Sequence, residues 1–167
     1  TDPKAPASPY GLEKLTAEEY CRLYNELYDV KTIMLRYFNV YGPRQRGGQY
    51  SGVIDVFLGQ ARRGEDITVH GDGEQTRDFV HVDDVVAANC LAAVNGTPGE
   101  TYNIGTGESI SIKTLAQLIV DTFESDSRIT HVAARDGDIE RSRPSIQKAR
   151  DELEFEPNRS LESELES

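Results

Sequence analysis

The sequence predicts an α/β protein on three observations. Runs with helical periodicity alternate with short β-rich runs, clusters of Gly and Pro punctuate the joints, and an apolar fraction of 37% suffices for a packed core. At 167 residues the chain has the length of one compact unit, long enough to bury a core and short for a two-domain enzyme.

The elements follow in order. Ser8 before Pro9 is a helix start, with serine as N-cap and proline at the first helical position. Leu15, Leu23 and Leu27 then recur at helical spacing with Tyr20 and Tyr24, so the first helix runs to about Tyr28. The stretch T-I-M-L-R-Y-F reads as a buried strand, and the segment from Asn39 to Tyr50 as an exposed loop. A second helix is expected from about Ser51 to Arg63, then a strand at I-T-V-H, a turn at Gly71, Asp72 and Gly73, and a strand at D-F-V-H-V. Asp83 or Asp84 is expected to cap the helix V-V-A-A-N-C-L-A-A-V, which Gly96 closes. Short strands at T-Y-N-I and S-I-S-I lead to a helix from Thr114 to Phe123. A strand near I-T-H-V-A and a helix from Ser145 to Leu153 follow, and the polar tail S-L-E-S-E-L-E-S is expected to fray. No repeat or low-complexity segment interrupts this order.

Charge and composition exclude several classes. With 29 acidic residues against 18 basic ones the net charge is −11, whereas a nucleic-acid binder would be basic. Only five of the basic residues are Lys, and two readings stay open: ordinary acidic solubility, or a halophile whose acidic surface stays hydrated in concentrated salt. No run approaches the roughly 20 apolar residues of a membrane span. The N-terminus lacks the pattern of a secretory signal. Cys21 and Cys90 lie in apolar helical patterns where thiols act as small hydrophobes, so a cytoplasmic setting is expected. His70, His81 and His131 lack metal-ligand spacing, so no metal is expected.

Tyr10 and Lys14 lie one turn apart on one helix face, placing a phenol beside an ammonium where the helix dipole is positive. Both effects favour the anion, which suits a proton acceptor. Such a pair on a surface helix is ordinarily just two neighbours, and it gains meaning only with L-R-Y-F-N-V-Y-G-P-R-Q at 35–45 and G-D-G-E-Q-T-R-D-F-V-H-V-D-D at 71–84.

Together these stretches resemble the extended short-chain dehydrogenase/reductases, and within them the UDP-glucose 4-epimerases and their nucleotide-sugar relatives. S-P-Y-G-L-E-K looks like their Y-x-x-x-K element. In that family the Tyr helix begins about halfway along, after a Rossmann half with a Gly-rich turn. Here G-D-G-E and G-T-G-E both stop at two glycines, short of a dinucleotide fingerprint. The resemblance therefore implies the C-terminal portion of an NAD-binding Rossmann fold plus a small α/β substrate-binding domain, with the N-terminal Gly-rich βαβ half absent. Residues 1–167 are expected as one truncated unit, 8–45 holding the Tyr/Lys helix and a late Rossmann strand, 46–167 mainly the nucleotide-sugar-binding region.

The resemblance implies roles residue by residue. Tyr10 would take the proton of the sugar 4-hydroxyl while hydride passes to NAD, and Lys14 would hold the nicotinamide ribose. Tyr37 and Phe38 would pack near the nicotinamide, although such residues at a strand end also serve as plain core. Asn39 would bond the sugar diphosphate. Val53, Thr68, Val69 and His70 would border the uracil and its ribose, Arg77 and Arg135 would clamp the diphosphate, and Asp138 would hold the uridine ribose. Ser142 stands where some epimerases carry a bulky Tyr that excludes N-acetyl sugars, so the pocket would admit them. Gly52 and Asp55 depart from residues frequent in the family. The implied activity is UDP-hexose 4-epimerisation by reversible hydride transfer at C4, with a 4,6-dehydratase and a non-catalytic self-associating unit as alternatives. Implied partners are a UDP-sugar, the missing half, and a second copy through exposed apolar surface. The chain alone is expected to be inactive and to bind NAD weakly.

Overall fold

The structure is a computed structural model that describes residues 4–6, 8–43, 45 and 52–165. Helix α1, Pro9–Tyr28, starts as its sequence requires: the Ser8 hydroxyl accepts the Gly11 amide at 3.0 Å and Pro9 occupies the first turn. It ends on Asp29 in the left-handed conformation (φ 54°). No residue of α1 is buried, and Tyr20, Leu23, Tyr24, Leu27 and Tyr28 are all substantially exposed. What ties the helix down is polar: Thr32 donates to the Cys21 carbonyl at 2.8 Å, and Arg36 bonds Glu18.

The strands are short and pair two by two. β1, Met34–Tyr37, runs parallel to β6, Thr101–Ile104; β2, Asn39–Tyr41, runs parallel to β5, Phe79–His81. β3, Ile67–His70, runs parallel to β8, Ile129–Val132, while β4, Thr76–Arg77, meets β7, Ile110–Ser111, antiparallel. Single residues separate β1 from β2 and β4 from β5: Phe38 and Asp78. At each the chain changes partner, and the two breaks sit side by side because Asn39 registers with Phe79.

Helix α2, Val53–Arg62, lies between β2 and β3; α3, Val82–Asn95, follows β5; α4, Ile112–Thr122, follows β7; α5, Gln147–Leu153, and α6, Leu161–Leu165, close the chain. One core gathers Ile54 and Phe57 of α2, Ile67 and Val69 of β3, Leu115 and Ile119 of α4, and both leucines of α6. The other gathers Val80, Ala88, Tyr102, Ile104, Leu153 and Phe155 beneath α3 and α5.

Several expectations are corrected. Asn39–Tyr41 is a strand rather than loop, with Tyr41 buried; residues 44 and 46–51, including the expected helix start at Ser51, lie outside the described residues. β1 is half exposed rather than buried, since it pairs on one side only. The cap of α3 is His81, whose ring accepts the Asp83 amide at 3.2 Å. Asp84 is buried instead, accepting the amides of Asn158 and Arg159 at 3.0 and 3.2 Å. That anchor brings α6 onto the core, so the tail is docked where fraying was expected. α4 begins earlier than expected because Ser111 caps it through the Thr114 amide, and α5 begins later, at Gln147. Cys90 is exposed on α3 and Cys21 is partly buried.

Candidate functional site: a basic-ended cavity beside β3

The open side of β3 builds the site. Alternation along a strand sends Ile67 and Val69 into the core and turns Thr68 and His70 outward. Thr68 and His70 then line a cavity of about 390 Å³ with Val53, Val56, Phe57 and Gln60 of α2, Asn39 of β2, Gln75, Arg77, Ile112, Arg135 and Asp138. A second hollow of about 530 Å³ adjoins it, sharing His70, Gln75, Arg135 and Asp138 and ending at Arg141. One wall is apolar and the other polar, as in a cleft that sorts a ring from a charged tail.

The charged end is assembled from three segments. The Arg77 guanidinium bonds the Asp138 carboxylate and the carbonyls of Thr76 and Ile139, so it is held in place before any ligand arrives. Arg135 sits 3.1 Å from His70 Nε2, and His70 Nδ1 lies 3.2 Å from the Ala133 carbonyl. Two guanidiniums at one end of a cavity suit a phosphate or diphosphate, which planar forks bind in bidentate fashion.

Asp78 organises this end from below. Its fully buried carboxylate accepts the amides of Thr106 (2.9 and 3.0 Å) and Gly107 (2.7 Å), and its carbonyl accepts both the backbone amide and the side-chain amide of Asn39, at 3.1 and 2.9 Å. Burial pushes the Asp78 carboxyl above its ordinary range, and the Thr106 and Gly107 amides bring it only part of the way back. Gly105 is required here by space: a Cβ would stand 2.8 Å from Pro144 Cγ and 3.1 Å from both Asp78 carboxylate oxygens.

The sequence-derived site residues divide into three groups. Asn39, Val53, Thr68, His70, Arg77, Arg135 and Asp138 line the one cavity. Val69 does not, because its side chain is in the core, and Ser142 lines none of the described cavities: its amide donates to the Thr76 carbonyl at 3.2 Å, one residue from Arg77. Tyr10 and Lys14 share an open face of α1, the Lys14 ammonium 5.2 Å from the Tyr10 ring centre and Tyr10 69% exposed. Tyr37 is also exposed, its hydroxyl donating to Asn89 at 2.9 Å, while the Phe38 amide donates to the Ile104 carbonyl. Tyr41 is unsuited to proton transfer, because burial, helped by the charges of Glu164 and Asp84, pushes its phenol well above the ordinary value and keeps it protonated. Gln60, Gln75 and Asp78 were missed by sequence reasoning. A carboxylate following Arg in a charged run looks like surface, and nothing marks a helix Gln as lining a cleft.

No group of three or more His, Cys, Asp or Glu residues suited to a metal ion occurs among the described residues, and no helix of the structure is long and apolar enough to cross a membrane.

Sequence and structure comparisons place this geometry. The model of the NAD dependent epimerase/dehydratase family matches residues 1–105, and the chain belongs to that family. It is 37% identical over 162 residues to the UDP-N-acetyl-alpha-D-glucosaminuronate decarboxylase of Bacillus cytotoxicus, covering 93% of this chain and 50% of the relative. It is 36% identical over 159 residues to the UDP-glucose 4-epimerase of Mycolicibacterium smegmatis, covering 95% and 51%. The crystal structure of a Thermotoga maritima UDP-glucose 4-epimerase with UDP-glucose superposes with a TM-score of 0.93 at 40% identity, covering 97% of this chain and 52% of that one. The chain thus spans about half the length of the relatives it matches and has the fold of the C-terminal portion of these Rossmann-type enzymes.

Proposed function

We propose that this chain forms the sugar-nucleotide-binding part of an NAD-dependent UDP-hexose 4-epimerase, and carries its proton acceptor on α1. The observation that supports this best is the gathering of Asn39, Thr68, His70, Arg77, Arg135 and Asp138 around one cavity whose apolar wall is Val53, Val56 and Phe57. A pyrimidine ring suits the apolar wall, a ribose hydroxyl suits Asp138, and a diphosphate suits the two guanidiniums.

The residues present fit the nicotinamide end of NAD only. Tyr10 and Lys14 share a solvent-open face, and Tyr37 is exposed beyond them in sequence, but the described residues include no Gly-rich strand-to-helix turn to cradle a pyrophosphate. Bound NAD would accept and return a hydride at the sugar C4. In this reading Tyr10 takes the 4-hydroxyl proton and returns it, Lys14 supports the phenolate and the cofactor ribose, and Arg77 with Arg135 fixes the diphosphate while the sugar turns over. The 167 residues alone lack half of such a site and are expected to be inactive. The exposed apolar face of α1 calls for a cover, either the complementary half or a second copy. A 4,6-dehydratase remains the second reading, because the family comprises both reactions.

The test is calorimetry of UDP with the 167-residue chain and with Arg77→Met. Binding by the first, weakened about tenfold or more in the second and steeply reduced by salt, is expected. Absence of UDP binding by the unaltered chain would overturn the reading.

A further inference from the structure

We infer that Gln60 reads the nucleobase, donating a carboxamide N–H to the 4-carbonyl of a pyrimidine dione; the inference rests on the sugar-nucleotide reading above. β3 pairs with β8 along one side, and the Thr68 amide points the other way, where Gln60 Oε1 accepts it at 3.3 Å. An amide N–H can only donate, so the Gln60 oxygen must face it and the Nε2 group faces away. Nε2 has no hydrogen-bond partner among the described residues, and Gln60 lines the cavity. The side chain is thus pinned at one end and presents two unused donors at the other.

The order of groups along the cavity decides which part of a base meets them. Arg77 and Asp138 mark the charged end, Arg135 meets His70, and Thr68 lies two residues further back along β3, about 7 Å at the strand rise. Gln60 therefore stands at the end remote from the diphosphate. In a pyrimidine nucleotide the position remote from the glycosidic bond is C4, whereas the 2-carbonyl flanks that bond and stays near the ribose. A 4-carbonyl, as in uracil or thymine, satisfies the Gln60 donors. A 4-amino group, as in cytosine, sets donor against donor and leaves both without a partner in a cavity the ligand has closed to water.

The experiment is calorimetry of UDP and CDP with the 167-residue chain, with Gln60→Glu, and with Gln60→Met. Glu keeps an acceptor for the Thr68 amide while replacing the donors; its negative charge opposes both diphosphates alike, so the UDP to CDP affinity ratio is the readout. The unaltered chain is expected to prefer UDP about tenfold. Gln60→Glu should abolish or invert that preference, and Gln60→Met, which has neither donor nor acceptor, should bring the two ligands level. Thermal melting identifies any variant that has not folded, and the other then carries the test. UDP binding with an unchanged ratio in the folded variants overturns the role of Gln60 and leaves the sugar-nucleotide reading standing. Failure of the unaltered chain to bind UDP overturns both.

Discussion

The Arg36 guanidinium grips the Glu18 carboxylate with two parallel hydrogen bonds, Nε to Oε2 at 2.7 Å and Nη2 to Oε1 at 2.6 Å, and so fastens α1 to β1. A helix with no buried residue depends on such contacts more than a packed helix does. Lys4 adds a third bond to the same carboxylate at 2.6 Å.

This relationship predicts a pH response. Burial alone would raise the Glu18 carboxyl, but the hydrogen bonds from Arg36 and Lys4 outweigh it and hold the group below its ordinary value. A carboxylate with a depressed folded-state value contributes stability that is present above the unfolded value and is lost as pH falls through the folded one. The protection factors of the α1 amides, each referred to the intrinsic exchange rate at its own pH, should therefore fall on acidification below the ordinary Glu range while those of β6 hold. Glu18→Gln should show the lowered α1 protection factors already at neutral pH, at a cost of about 1 kcal/mol because Arg36 is partly solvated. Equal protection of α1 in both proteins at pH 7 would show that the helix is held some other way.

Asp78 predicts the opposite sign. Its folded-state value is raised, chiefly by burial, so its titration favours the fold below the unfolded Asp value and that advantage is lost as pH rises through the folded value. Asp78→Asn cannot titrate, and because the Thr106 amide bonds both carboxylate oxygens, the NH₂ group would face it whichever way the carboxamide turned, donor against donor. The variant should be less stable by about 1–3 kcal/mol at neutral pH. The gap to the unaltered chain should widen as pH is lowered toward the unfolded Asp value. Chemical denaturation at several pH values measures it, and a gap that narrowed on acidification would contradict the burial argument.

Much of the fold was legible because its signals are local. Ser8 and Pro9 mark the start of α1 through cap chemistry, and Gly96 marks the end of α3. The changes of strand partner at Phe38 and Asp78 were not legible, since strands of two to four residues carry too little alternation to reveal their neighbours. Asp84 read as a helix cap because its sequence position allows it; only the distant amides of Asn158 and Arg159 show why it is buried. α6 was hidden for the same reason, because Leu161 and Leu165 form an apolar stripe too short to recognise before Asp84 fixes the approach of the chain. At the site, Thr68 and Val69 were both expected at the cavity, and the period of the strand admits only one of them.

Ser142 is placed by its pairing with Thr76, beside Arg77 but outside the cavity. If it borders the sugar beyond the diphosphate, a tyrosine there would obstruct an N-acetyl group more than a hydroxyl. In a protein carrying this chain with a dinucleotide-binding half, Ser142→Tyr should lower turnover of an N-acetylated UDP-hexose about tenfold or more and leave that of the plain UDP-hexose within a few fold. Equal losses on the two substrates would mean that the position does not gate the sugar pocket.

Tyr10 offers the sharpest test of chemistry, because its surroundings allow function to be separated from folding. Tyr10 is 69% exposed on the first turn of α1 and the described contact of its ring is with the Lys14 ammonium, so Tyr10→Phe keeps the helix, its Ser8 cap and the cation over the ring while removing one oxygen. Melting temperature should therefore be unchanged. If that oxygen takes the 4-hydroxyl proton, turnover in a protein that also carries the dinucleotide-binding half should fall by about 10²–10⁴-fold with substrate KM little altered, the signature of a lost general base. Lys14→Met should lower turnover too, since the phenolate would lose the cation that stands over its ring, again with little change in melting. A Tyr10→Phe protein that interconverts the two epimers at near the unaltered rate would reduce the pair to two neighbours on a helix surface.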